Sequence, residues 1–300
     1  MTVRGVLLAV WLVLAAGVVR AAEPVDDPSY ERIVSLSPVL TRMVVDLGLG
    51  DRLVGVAEHD NVRPDLPVTG SFGEADAERV LVLDPDVILV TGLGGEPKAS
   101  VVAAAERVGA DVYGWDLPLT LVKIERTVHT ADEPTSLSHR LGVPGRGRAL
   151  RERFVEELDA IEAASADEVA GRRVLLLLDA SPASALGPGS PFVELVERLG
   201  AVSASPLSSA WGVLDEERLM LARPDVVLLI RPGDAPLVAG DGRLGALSES
   251  IDGPGVRVVL IDHPLALLPT TSLAEVAEAM AGAIAGPGGV VLRADQEATR

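Results

Sequence analysis

The chain has 300 residues, 48% hydrophobic and 23% charged, with 44 acidic against 26 basic side chains and a net charge of −18. That composition is globular and long enough for two ordinary cores, which excludes a disordered chain. The acidic surplus disfavours nucleic acid and anionic lipid as partners, because both need a basic face.

Residues 1–21, MTVRGVLLAVWLVLAAGVVRA, place Arg4 ahead of an almost wholly apolar run and end on small residues around a cleavage point after Ala21. The pattern predicts a secretory signal peptide and a periplasmic mature protein. A membrane anchor is the alternative reading, but the run is shorter than the ~20 residues a span normally uses. Cysteine is absent, which removes disulfides, thiolate metal sites and a lipoprotein anchor.

Between 22 and 118, short β-branched runs alternate with amphipathic segments, as in α/β units around parallel strands. Strands are predicted at 32–36, 52–56, 86–90 and 111–115, and helices at 41–47, 77–83 and 97–108. Residues 119–170 carry helical periodicity without a convincing strand, broken by Pro134 and by GVPGRG at 142–147, and strongest over 148–164. His129 and His139 lie in that broken stretch and read as solvated side chains. Alternation resumes from 171 to 300, with strands at 172–178, 225–230 and 256–262 and helices at 191–199, 216–222 and 272–285. The tail, 286–300, is expected to be ordered only in part. The fold class is therefore α/β: two lobes of parallel-sheet units joined by a long backbone helix.

One motif occurs twice. AERVLVLDPDVIL at 77–89 returns as EERLMLARPDVVL at 216–228, 139 residues later and identical at six of thirteen positions. The spacing is too long for a solenoid and suggests two similar half-molecules. Asp76 and Asp215 stand where N-caps belong, and Pro85 and Pro224 end each helix. Glu78 and Glu217 fall in the first helical turn, where the helix dipole alone accounts for a carboxylate.

ERIVSLSP (31–38), LGLGDRLVGVAE (47–58), LPVTGSFG (66–73) and AERVLVLDPDVILV (77–90), in that order, resemble the periplasmic substrate-binding proteins of ABC importers for vitamin B12, haem and ferric siderophores. The similarity continues more weakly through 187–200 and 208–229. It implies the class III, helical-backbone architecture, with a shallow ligand cleft between two lobes and little hinge motion. It also implies a monomer that carries a cobalt or iron chelate, a corrinoid before haem or a ferric siderophore, to a permease dimer with a cytoplasmic ATPase. In that family a glutamate on each lobe docks onto permease arginines, and Glu78 and Glu217 occupy the matching positions. The chain departs from the pattern at His59, where the family usually has tyrosine, and in an aromatic loop of which only Phe72 is kept. It departs again at His263, where the vitamin B12 binders have an acidic residue, and in the lengthened segment 128–145.

Ligands in such folds meet loops at the carboxyl ends of strands. That rule collects Ser37, His59, Asp60, Ser71, Phe72, Gly92, Gly94, Tyr113 and Trp115 from the first lobe, and Ser184, Ser190, Trp211, Arg231 and His263 from the second. Five of the seven aromatics after residue 21, namely Phe72, Tyr113, Trp115, Phe192 and Trp211, fall in or beside these loops. A flat, largely apolar ligand suits them. His59, Phe72, Trp115, Trp211 and His263 are the candidate ligand-binding set, with His59 and His263 either solvated or axial ligands to a chelated metal. An enzyme is disfavoured: H-E-x-x-H and a P-loop are absent, and GLGGEP at 92–97 lacks the last glycine of a dinucleotide fingerprint. A sensor or scaffold of the same fold is the remaining alternative, against which Glu78 and Glu217 argue.

Overall fold

The computed structural model describes residues 26–71, 73–92, 94–131, 134–180, 182–231, 256–286 and 291–293. The expected signal peptide over 1–21, Phe72 and most of the tail lie outside the described residues. The first sheet contains β1 (Ile33–Ser35), β2 (Leu53–Ala57), β3 (Val68–Ser71), β4 (Glu74–Ala75), β5 (Val87–Gly92) and β6 (Asp111–Asp116). Their order is β4-β3-β2-β1-β5-β6, parallel except for β4. The second contains β7 (Arg173–Ala180), β8 (Ala183–Leu186), β9 (Val202–Ser203), β10 (Trp211–Leu214), β11 (Val226–Arg231), β12 (Arg257–Asp262) and β13 (Val291–Arg293). Its order is β10-β8-β7-β11-β12-β13, with β9 beside the start of β7 and β8 antiparallel to both of its neighbours.

The helices are α1 (Pro38–Asp46), α2 (Ala77–Leu83), α3 (Ala99–Val108), α4 (Leu121–Val128), α5 (Leu137–Arg140), α6 (Pro144–Val169), α7 (Pro191–Arg198), α8 (Glu216–Ala222) and α9 (Leu273–Ala285). Every strand and helix expected from periodicity is present, with ends shifted by a few residues. The unforeseen strands β3, β4, β8, β9, β10 and β13 are short pieces toward the margins of the two sheets, whose pairing is decided by a neighbour rather than by their own pattern. The expected break at 142–147 is present but shorter, at 141–143 between α5 and α6. Pro144 is the first residue of α6, where a missing N–H costs nothing, so the helix runs 26 residues.

Strand alternation builds three cores. In β5, Val87 and Leu89 join the largest cluster while Ile88 and Val90 join a second one under α2 and α3. In β11, Val226, Leu228 and Ile230 point into that same largest cluster, and Val227 and Leu229 into a third beneath α8. The largest core thus contains residues of both sheets together with Leu150, Phe154 and Leu158 of α6. One continuous close-packed core across both lobes opposes a wide hinge movement, since packed interiors resist deformation.

His129 and His139 are not solvated side chains. His129 is 5% exposed and stacks on His139 with ring centroids 4.9 Å apart and planes 11° off parallel. Its Nδ1 lies 3.0 Å from the Ser138 hydroxyl, and His139 Nδ1 lies 2.8 Å from Ser136. The pair seals the junction of α4, α5 and α6. Gly147 lets α5 approach α6 so closely that a Cβ there would stand 2.2 Å from Ser138 Cβ.

Candidate functional site: two matched helices and a cleft of strand-end loops

The doubled motif is a local device built the same way in each lobe. Asp76 accepts the backbone N–H groups of Glu78 and Arg79, and Asp215 that of Arg218, as N-caps do. At the other end Asp84 and Arg223 take left-handed backbone, φ 43° and 42°, to stop α2 and α8. Arg32 donates to the terminal carbonyls of Leu83 and Asp84, and Arg173 to those of Ala222 and Arg223. After the proline, Asp86 accepts the N–H groups of Glu31 and Arg32, while Asp225 accepts that of Arg173. Asp86 and Asp225 thereby tie each helix to the first strand of its sheet. Glu78 and Glu217 do none of this work: both are exposed, without an ion pair or hydrogen-bonded side chain among the described residues.

The strand-end loops divide into structural and open groups. Ser37 is buried and accepts from the Thr91 hydroxyl at 2.9 Å, closing the crevice between β1 and β5 where the strand order reverses. Ser190 is likewise buried and caps α7 through the Phe192 N–H. Tyr113 lies against Tyr30 and under the Arg140 guanidinium, within the lobe's own packing. Trp115 is half-buried: its indole N–H donates to the Thr135 carbonyl and its ring meets Tyr113 edge-on. Trp211 is open, 58% exposed, with its indole N–H held by Ser184 at 2.8 Å.

His59 is the most open of the candidate groups, its side chain 89% exposed. Its backbone is left-handed, φ 63°, an uncommon state for a non-glycine residue that points to a local constraint. Buried Asp60 supplies that constraint by accepting the N–H groups of Val62 and Arg63. Next to it, Asn61 donates to the Pro264 carbonyl at 2.8 Å, so the loop after β2 touches the loop after β12 and the lobes meet there. His263 sits on the other side of this contact but is buried. Its Nδ1 accepts the Leu265 N–H, and its Nε2 is 3.3 Å from the Glu275 carboxylate. Neither nitrogen is left for a metal, so of the two histidines only His59 is open to one, with its Nε2 3.7 Å from the Glu58 carboxylate and its Nδ1 unpartnered among the described residues. The His263 hydrogen bond, with Arg42 nearby, holds the Glu275 carboxyl below its usual range.

A family model described as periplasmic binding protein matches residues 33–235. The chain belongs to this periplasmic binding protein family. Among curated relatives, the vitamin B12-binding protein of Vibrio cholerae is 30% identical over 131 residues, 43% of this chain and 44% of the relative. That of Yersinia pseudotuberculosis is 25% identical over 203 residues, 66% and 69% of the two chains. The chain spans less than half the length of the first of these relatives. A periplasmic haem-binding protein solved with two haems superposes with a TM-score of 0.68 and 26% identity, covering 85% of this chain and 97% of the other. The vitamin B12-binding protein of Vibrio cholerae has been solved too, with TM-score 0.62, 21% identity and coverage of 85% and 96%. The class III periplasmic binding protein fold is common to all of them.

In this periplasmic binding protein a concavity of about 580 Å³ lies between α1, α6 and α9, and its Glu275 meets His263 of the loop after β12 at 3.3 Å. Most of its charges are paired: Arg42 with Asp46 at 2.9 Å and with Glu275 at 3.7 Å, and Arg153 with Glu157 at 3.9 Å, while Asp46 accepts the Thr271 hydroxyl. It is part of the seam that joins the lobes. At the cleft end of the first sheet, Lys123 holds the Asp116 carboxyl down and Lys98 does the same for Glu74. Asp116 also accepts the Gly94 N–H, so this charged pair fixes the glycine loop after β5. Sequence reading missed Asn61, Asp116, Lys98 and Lys123. Asn61 and Lys98 follow β2 and β5 by a few residues and Asp116 ends β6, a placement that could have flagged them, whereas Lys123 lies within α4.

Proposed function

We propose that this protein is the extracytoplasmic binding component of an ABC importer, exported by the signal peptide over 1–21 and free of a lipid anchor. It takes up a metal chelate between its lobes as a monomer and docks through Glu78 and Glu217 onto a permease dimer driven by a cytoplasmic ATPase. The observation that carries the ligand class is His59, an exposed imidazole on left-handed backbone beside the contact between lobes, its Nε2 flanked by the Glu58 carboxylate at 3.7 Å. Trp211 offers an open aromatic face, Trp115 a half-buried one, and Phe72 belongs to the same loop set. His263 acts by fixing the loop after β12 rather than by touching metal.

A corrinoid is the first choice. The net charge of −18 and the carboxylates of Glu58 and Asp60 beside His59 suit a chelate with a neutral amide periphery better than one bearing two carboxylates. The kinship with vitamin B12-binding proteins supports the same choice. Haem is the second reading, favoured by the exposed His59 imidazole, which a porphyrin iron would accept as axial ligand. Titration with cobalamin, haem and a ferric hydroxamate, following the fluorescence of Trp115 and Trp211, separates them. Saturable quenching by cobalamin is the expected result. Haem quenching with a Soret shift lost in His59→Ala assigns haem instead, and no response to any of the three ends the chelate reading.

A further inference from the structure

The two docking helices expose more than their glutamates. Leu81 and Val82 of α2 are 52% and 82% exposed, and Met220 and Leu221 of α8 are 61% and 64% exposed. These residues occupy the same two positions of the doubled motif, 139 residues apart. Residues three and four apart share a helix face, so Leu81 and Val82 lie beside Glu78, and Met220 and Leu221 beside Glu217. The opposite faces are committed, with Val80 buried under α2, and Leu219 and Ala222 buried under α8. Arg79 and Arg218 are drawn to Asp76 and Asp215, which leaves Glu78 on α2, and Glu217 with its neighbour Glu216 on α8, as the uncommitted charges. Single exposed apolar residues need no explanation. Two adjacent ones repeated at matched positions beside an unpaired carboxylate do, because local stability gains nothing from them.

We propose that each lobe docks through a composite patch, a carboxylate flanked by an apolar pair, and that its partner is a permease subunit presenting a basic group next to an apolar depression. This rests on the docking reading above and extends it from charge to shape. A partner with two-fold symmetry requires the same patch twice, as the repeat provides. In such a contact the charge pairs steer and orient, while the apolar residues, once desolvated, hold the complex against salt.

The probe is the permease–ATPase complex of the source cells, purified and identified by its two permease subunits, with binding measured at low and at 1 M salt. Two variants are compared with wild type: Glu78→Ala with Glu217→Ala, and Leu81→Ser, Val82→Ser, Met220→Ser and Leu221→Ser together. Both must keep the wild-type melting temperature; Val82→Thr with Leu221→Gln serves if the fourfold variant does not. The expected result is weakening of about tenfold or more by the apolar variant at both salt concentrations, and by the glutamate variant mainly at low salt. Loss of binding in the glutamate variant with wild-type binding in the apolar one overturns the composite patch and leaves charge docking standing. Wild-type binding by both removes the docking reading itself. Concentration-dependent dimers of the wild type that vanish in the apolar variant show that the pairs serve self-association, which also overturns the proposal.

Discussion

Acidification should cost this protein stability through one buried side chain. Burial, with His139, Arg148 and Arg151 adding repulsion, lowers the His129 pKa from 6.5 to about 4. The folded state therefore holds the imidazole neutral, whereas the unfolded chain protonates it below 6.5. The stability tied to this group is fully present above about pH 6.5 and is lost as pH falls toward 4, because the unfolded state binds the extra proton. Each pH unit inside that window removes about 1.4 kcal/mol, so the loss between pH 7 and pH 5 is about 2 kcal/mol. Urea unfolding at the two pH values, for wild type and for His129→Gln, isolates the term, since other titrating groups are common to both proteins. Wild type should lose about 2 kcal/mol more than the variant. Equal losses would refute the reasoning and place the His129–His139 stack in contact with water.

Gly147→Ala should destabilise by about 1–3 kcal/mol by chemical denaturation, as the new methyl meets Ser138 of α5 at 2.2 Å. Within the doubled motif, Asp86→Ala and Asp225→Ala should each cost about 1–2 kcal/mol by removing the acceptor of a strand-start N–H, whereas Glu78→Ala and Glu217→Ala should cost less than about 1 kcal/mol. His263→Ala should lower the melting temperature by stranding the Leu265 N–H and the Glu275 carboxylate. His59→Ala should leave the melting temperature nearly unchanged, since its side chain is almost wholly in water. Calorimetry of the two variants side by side checks the contrast.

The two-lobed α/β architecture was legible in the sequence because its signals are local. Strand alternation in β5 and β11, the caps at Asp76 and Asp215, and the prolines that close α2 and α8 all act within one turn or one neighbour. The repeat itself was visible as a string of letters. Its division of labour was not, because whether a residue works inside the fold depends on what packs against it. Asp86 and Glu78 are both acids in the motif, yet one reaches backbone 55 residues away and the other faces water. The same limit hid β8 and β10, whose partners define them, and it hid the histidines. A loop position does not say whether an imidazole is open, as in His59, tied at both nitrogens, as in His263, or buried in a stack, as in His129. Burial and pairing of this kind are set by chain segments brought together only on folding, so the sequence by itself determined the elements and their order, and the tertiary structure alone decided which side chains remain free to act.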